Sequence, residues 1–163
     1  MLIKAERKKL IVKMVFWVVI VMYTVFMIWL LIFAFSRTRG TTYKYNIIPF
    51  KTIYGLLINP GSKYIKWVII RELFGNIVLF IPLGFFLSIY SKWEKSIFIK
   101  VALKTVIIMM IIESIQGITH YGMFDVDDVI LNTIGSIAGC FLFVLIKKNP
   151  YINSCLKYLY RKC

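Results

Sequence analysis

A chain of 163 residues that is 60% hydrophobic, with a mean hydropathy of +0.80, lies far from soluble domains, which are about 45–50% apolar. The excess is gathered in blocks close to the ~20 residues that cross a bilayer, which excludes a soluble globular domain, a disordered tail and a disulfide-knotted secreted peptide. The charge is +14, from 21 Lys+Arg against 7 Asp+Glu. The basic residues flank the apolar blocks, so they point to anionic lipid and membrane topology rather than to nucleic acid. The length holds one compact membrane domain and no soluble catalytic domain beside it.

Residues 1–13 form a basic N-terminus carrying Lys4, Arg7, Lys8, Lys9 and Lys13. The block from Met14 to Phe35 has no charge. A signal peptide would have an apolar core of only about 7–15 residues, and Ala34-Phe35-Ser36 is a poor cleavage site, so this block reads as an uncleaved transmembrane helix. In the loop that follows, Pro49 suits a first helical position and Phe50, Ile53, Tyr54 and Leu57 fall on one face. That pattern predicts a short helix in the headgroup region, with Lys51 on its wet side and Asn59-Pro60-Gly61-Ser62 ending it.

The second span is expected from Trp67 to Tyr90, interrupted by Arg71, Glu72 and Asn76. Pro82 within it frees a carbonyl and favours a kink that would open space beside Gly84. A third span is expected at 97–118 and a fourth at 128–146, followed by a basic tail at 147–163. No block alternates with period two, so barrel strands are excluded. The expected fold is all-α: a polytopic membrane protein with four transmembrane helices, at about 14–35, 67–90, 97–118 and 128–146, and an interfacial helix in the first loop.

Lys and Arg accumulate at the N-terminus, around Lys92 and Lys95, and in the tail, which places both termini in the cytoplasm of a bacterial plasma membrane. The first loop, with Arg37, Arg39, Lys44, Lys51, Lys63 and Lys66, runs against this bias. With that topology Glu72 and Asn76, Glu113 and Gln116, and Asp128 and Asn132 come from three helices to one depth on the outer side. Glu72 and Asn76 are four apart and Glu113 and Gln116 three apart, so each pair shares a helix face. Asp128, Asn132, Gly135 and Gly139 form one stripe, and the two glycines allow a close helix approach. Carboxylates within a span are costly and mark functional sites, although Glu113 could instead stay protonated and hold helices together. Arg71, Glu72, Asn76, Glu113, Gln116, Asp125, Asp128 and Asn132 are therefore the ligand-binding candidates, with Pro82, Gly84, Gly135 and Gly139 assigned to helix packing.

One of Asp125, Asp127 and Asp128 is expected to cap the fourth helix. Asp125 and Asp127 are weak candidates for a divalent cation near His120, without the spacing of an EF-hand. No nucleotide, dinucleotide or zinc motif occurs, and no cofactor is expected. Cys140, Cys155 and Cys163 suggest no disulfide framework.

Taken in order, four of these pieces resemble the VanZ-like family of bacterial membrane proteins: Asn46-Ile47-Ile48-Pro49-Phe50; Asn76 through Gly84; Glu113-Ser114-Ile115-Gln116; and Asp125-x-x-Asp128-x-x-x-Asn132-x-x-Gly135-x-x-x-Gly139. The resemblance covers roughly Asn46 to Gly139. It implies an association with glycopeptide resistance, chiefly reduced susceptibility to teicoplanin. Where family members often carry a basic residue before the first aspartate, this chain has Gly122-Met123, which shifts any anion-binding role to Arg71 or the first loop. The leading expectation is a cell-envelope protein whose outer-facing polar pocket meets a lipid-linked cell-wall precursor or a lipoglycopeptide, with membrane lipids as its constant partners. The alternatives are an intramembrane enzyme using Glu113 and Asp128 as acid and base, a transporter, and a non-catalytic partner of another membrane protein docking on the Gly135–Gly139 face.

Overall fold

The computed structural model describes residues 2–31, 45–58, 67, 73–91, 95–119, 124–150 and 153. These residues are mostly helical. We number the helices α1 (Leu2–Trp29), α2 (Lys51–Ile58), α3 (Gly75–Ile89), α4 (Ile97–Thr119) and α5 (Val126–Lys147). Two short strands, β1 (Tyr45–Asn46) and β2 (Phe124–Asp125), pair in parallel with Tyr45 opposite Phe124 and Asn46 opposite Asp125. A two-residue bridge between distant loops leaves no periodic trace in sequence, so an all-helical reading passes over it.

By length and composition, Leu10–Trp29 and Val126–Lys147 are each apolar enough to cross a membrane, while Gly75–Ile89 is apolar but shorter. The first part of the expected second span, with Arg71 and Glu72, lies outside the described residues, as do the 59–62 turn, His120 and most of the basic tail. The first helix begins well before the uncharged block, at Leu2, and carries its basic residues on its own N-terminal turns.

Residue contacts show that α3 runs parallel to α5, since Asn76 meets Asp128 near their starts and Phe85 meets Phe143 further along. Connected to both, α4 runs the other way and brings its C-terminal Glu113 to the start of α5. The α3–α5 seam is made backbone to backbone. A Cβ on Gly84 would overlap the Ser136 carbonyl, one on Gly135 the Ile77 carbonyl, and one on Gly139 the Ile81 carbonyl. Only hydrogen can occupy these positions, which is the physical reason for small residues at a close helix crossing. Pro82 lies inside α3, whose helix continues to Ile89.

Two apolar clusters fill the bundle. One joins Ile89, Ile97, Val101, Cys140 and Phe143, with Phe16 and Phe86 packed against it. The other joins Met27, Phe80, Met109 and Val129. Hydroxyls within the helices turn back on their own turns: Thr24 donates to Ile20 O (2.8 Å), Thr105 to Val101 O (3.0 Å), Ser114 to Met110 O (2.7 Å) and Thr133 to Val129 O (2.7 Å). Such local bonds satisfy polar groups without requiring water, as a hydrocarbon surrounding demands.

Candidate functional site

The start of α5 organises the polar end. Its N-cap is Asp125, in extended conformation, whose carboxylate accepts from Asp127 N at 2.9 Å. That bond satisfies one of the donors a helix start leaves unpaired. Asp127 and Asp128 follow in the first turn, where the helix dipole favours negative charge. Each acid then reaches a different segment. Asp128 accepts from Asn76 Nδ2 at 2.7 Å, tying α5 to the start of α3. Asp127 accepts from Phe50 N through one oxygen and from Ile53 N (3.2 Å) through the other, so its carboxylate caps α2. Asp125 also accepts from Asn46 Nδ2 at 3.0 Å, beside the β1–β2 bridge. Glu113 closes the ring from α4 by accepting from Asp125 N at 3.0 Å.

Most of this cluster is buried, with Asn76 and Asp128 half-buried at its edge. Glu113, Asp125, Asp127, Asn46 and Asn132 are all buried, with Glu113 at 2% and Asp127 at 1% exposure. Burial of a carboxylate is tolerable only with strong hydrogen bonds, and here backbone and amide N–H groups supply them. The chain at Phe50 adopts φ 66°, a left-handed conformation costly for a side chain of this size. The Asp127 bond to its N–H holds that conformation.

The expected candidates thus divide. Asn76, Glu113, Asp125 and Asp128 come together at one end of the bundle. Gln116, one turn beyond Glu113, donates instead to Leu31 O at 2.7 Å, just past the end of the first helix. Asn132 lies one turn into α5 from Asp128, where its Nδ2 faces Met109 Sδ at 3.4 Å and its Oδ1 has no hydrogen-bond partner. Arg71 and Glu72 lie outside the described residues. Gly84, Gly135 and Gly139 line the α3–α5 seam. Among the described residues no group of three or more His, Cys, Asp or Glu is arranged to hold a metal ion. The bonds of Asp125 and Asp127 to N–H donors account for their convergence.

Two participants escape helical-depth reasoning. Asn46 is buried between Asp125 and its own loop, where its Oδ1 also accepts from Ile48 N at 3.3 Å. Its signal was local: an Asx residue before a proline-led helix start. The role of Asp127 as a cap for a helix more than seventy residues earlier had no local signal.

Charge is segregated along the bundle. Among the described residues Glu113, Asp125, Asp127 and Asp128 gather at one end. Lys13, Lys95, Lys100, Lys104, Lys147 and Lys148 lie toward the other, with Glu6 and Lys51 as exceptions.

The VanZ/LLP1 family model matches residues 15–147, 133 of the 163. The chain belongs to the VanZ/LLP1 family. Members are membrane proteins, in keeping with the two apolar helices. Protein VanZ of Enterococcus faecium is 29% identical over 133 residues, covering 78% of this chain and 73% of that protein. No solved structure matches the chain. The matched region contains the α3–α5 seam and the whole polar cluster, so the family likeness and the geometry rest on the same part of the molecule.

Proposed function

We propose that this VanZ/LLP1 protein spans the bacterial plasma membrane four times, with both termini in the cytoplasm, and lowers susceptibility to teicoplanin-type glycopeptides from the outer membrane–water boundary. The observation that carries the reading is the segregation of charge: a layer of buried acids and amides at one end of an apolar bundle, and lysines at the other. Lysine-rich ends stay on the cytoplasmic side, so the acid end faces outward. There the cluster holds the first loop, with β1 and α2, against the start of α5. It thereby presents a fixed surface at the depth where lipid-linked cell-wall precursors expose their sugars and peptides.

The test is expression of the intact chain and of Glu113→Gln in a sensitive Gram-positive host. Teicoplanin and vancomycin are compared at matched membrane levels of the two proteins. Glutamine keeps an oxygen for Asp125 N, so the variant removes the carboxyl group with little loss of structure. Protection by the intact chain, greater against teicoplanin and reduced in the variant, is the expected result. Absence of protection by the intact chain at good membrane expression sinks the resistance reading. Equal protection by both removes the Glu113 carboxyl group from it.

A further inference from the structure

A second feature lies away from the acid cluster, on the flank where the first helix meets α3 and α4. A crevice of about 160 Å³ is bounded by Tyr23, Met27 and Leu31 from the first helix, Phe80 and Leu83 from α3, and Ile112 from α4, with Thr24, Ile28 and Ile108 completing its wall. It is open on one side. Its two hydroxyls are already engaged, Tyr23 donating to Leu79 O at 2.8 Å and Thr24 to Ile20 O. The wall therefore makes no polar demand on an occupant.

We propose that this crevice seats a segment of one acyl chain of a bilayer phospholipid. Three observations point there. The lining runs from Tyr23 to Leu31, two turns or roughly 12 Å along the helix axis, so the slot is elongated in the direction of lipid chains. Its volume of about 160 Å³ is close to that of an apolar cavity that accepts one benzene ring, about 150 Å³, so it takes a short stretch of a hydrocarbon chain. A helix about 10–12 Å across cannot enter it. The surrounding face of the first helix exposes Met22, Val25, Phe26 and Trp29, and only 6% of the Leu10–Trp29 window is buried. In a membrane the solvent against that face is phospholipid hydrocarbon, present at the highest local concentration of any chain-shaped ligand. The upper lip of the crevice is Leu31, whose carbonyl accepts from Gln116, so the bound chain ends in the layer of the acid cluster.

This inference rests on the membrane-spanning part of the proposed function and is independent of the resistance phenotype. The full chain is reconstituted into phosphatidylglycerol vesicles containing a minor fraction of polyprenyl phosphate and checked by flotation. It is then extracted in mild detergent, and retained lipid is identified and counted per chain. The crevice is expected to account for about one retained phospholipid per chain. Thr24→Phe and Ile28→Phe, both on exposed positions of the first helix, place a ring in the slot and lower retention about tenfold. Val25→Phe, exposed and outside the crevice, leaves retention unchanged. Equal retention by all four proteins overturns the proposal, as does retention of polyprenyl phosphate in place of phospholipid. Failure to float overturns it together with the membrane-spanning reading, whereas loss of drug protection alone leaves it standing.

Discussion

The α3–α5 seam and the docking of the first helix are two ways of joining apolar helices, and they differ in what touches. In the seam, backbone meets backbone: Gly84, Gly135 and Gly139 bring the helices so close that a methyl group would overlap a carbonyl. The first helix keeps its distance and reaches α3 through rings. Phe16 meets Phe86 at 5.8 Å between centroids, Tyr23 meets Phe86 at 5.6 Å, and Trp17 meets Tyr90 at 6.0 Å. In a bilayer no hydrophobic effect separates helix from lipid, so close van der Waals contact has to hold helices together. A seam closed at glycines maximises that contact but tolerates no growth there. A seam of rings leaves gaps, one of which is the crevice, and tolerates substitution.

The contrast is broken most severely at Gly139. Gly139→Leu forces a side chain against the Ile81 carbonyl and Phe85 N, where no rotamer relieves the overlap. Overpacking ordinarily costs about 1–3 kcal/mol, and a clash with backbone belongs at or above the upper limit, about 3 kcal/mol. Thermal unfolding in micelles, followed by tryptophan fluorescence, should show it as a large drop in the midpoint. Val25→Leu, on the exposed face of the first helix, should stay within about 0.5 kcal/mol of the parent. Equal midpoints for the two variants would mean that the helices are not in backbone contact.

A smaller effect is expected at the acid end, where the cluster joins segments that neither seam holds. Asp127→Ala removes the acceptor for Phe50 N and Ile53 N. A lost cap and a donor left without a partner cost about 1–2 kcal/mol, moderated because α2 lies at the surface and water can replace the carboxylate. Amide hydrogen exchange at residues 50 and 53 should accelerate while exchange within α5 changes little. Acceleration spread across α5 would show that Asp127 supports the bundle itself rather than the loop.

These regions also differ in how far they can be read from sequence. Counting helical depth brings Asn76, Glu113 and Asp128 to one layer, because each span is a rod of known rise and its ends are marked by charge. The Gly135–Gly139 spacing is visible as a small-residue face. Its partner is not, since α3 meets it at Ile77 and Ile81 with carbonyl oxygens, which every residue type carries. Asn46 with Asp125, and Asp127 with Phe50, are long-range pairings between loops, set by how the rods stand together and without a period of their own. The boundaries of the first span were similarly hidden. Charged residues at positions 4–13 continue the helix back to Leu2, because Lys, Arg and Glu are good helix formers whether or not lipid surrounds them.

The smallest expected effect separates rings from hydrogen bonds within the first-helix seam. Tyr23 OH donates to Leu79 O, the one side-chain hydrogen bond described between these two helices. Tyr23→Phe leaves no unpaired donor and keeps the ring against Phe86. The loss should therefore fall at the low end for a hydrogen bond, about 0.5 kcal/mol. Phe16→Ala deletes a ring that packs on both Phe86 and Tyr90 and should cost more, about 2 kcal/mol even though Phe16 is only half-buried. Unfolding midpoints of the two variants in the same micelles give the order directly. If Tyr23→Phe proves the more damaging, the first helix is held by a specific polar contact, and the looseness that leaves room for a lipid chain beside it is not a property of the seam.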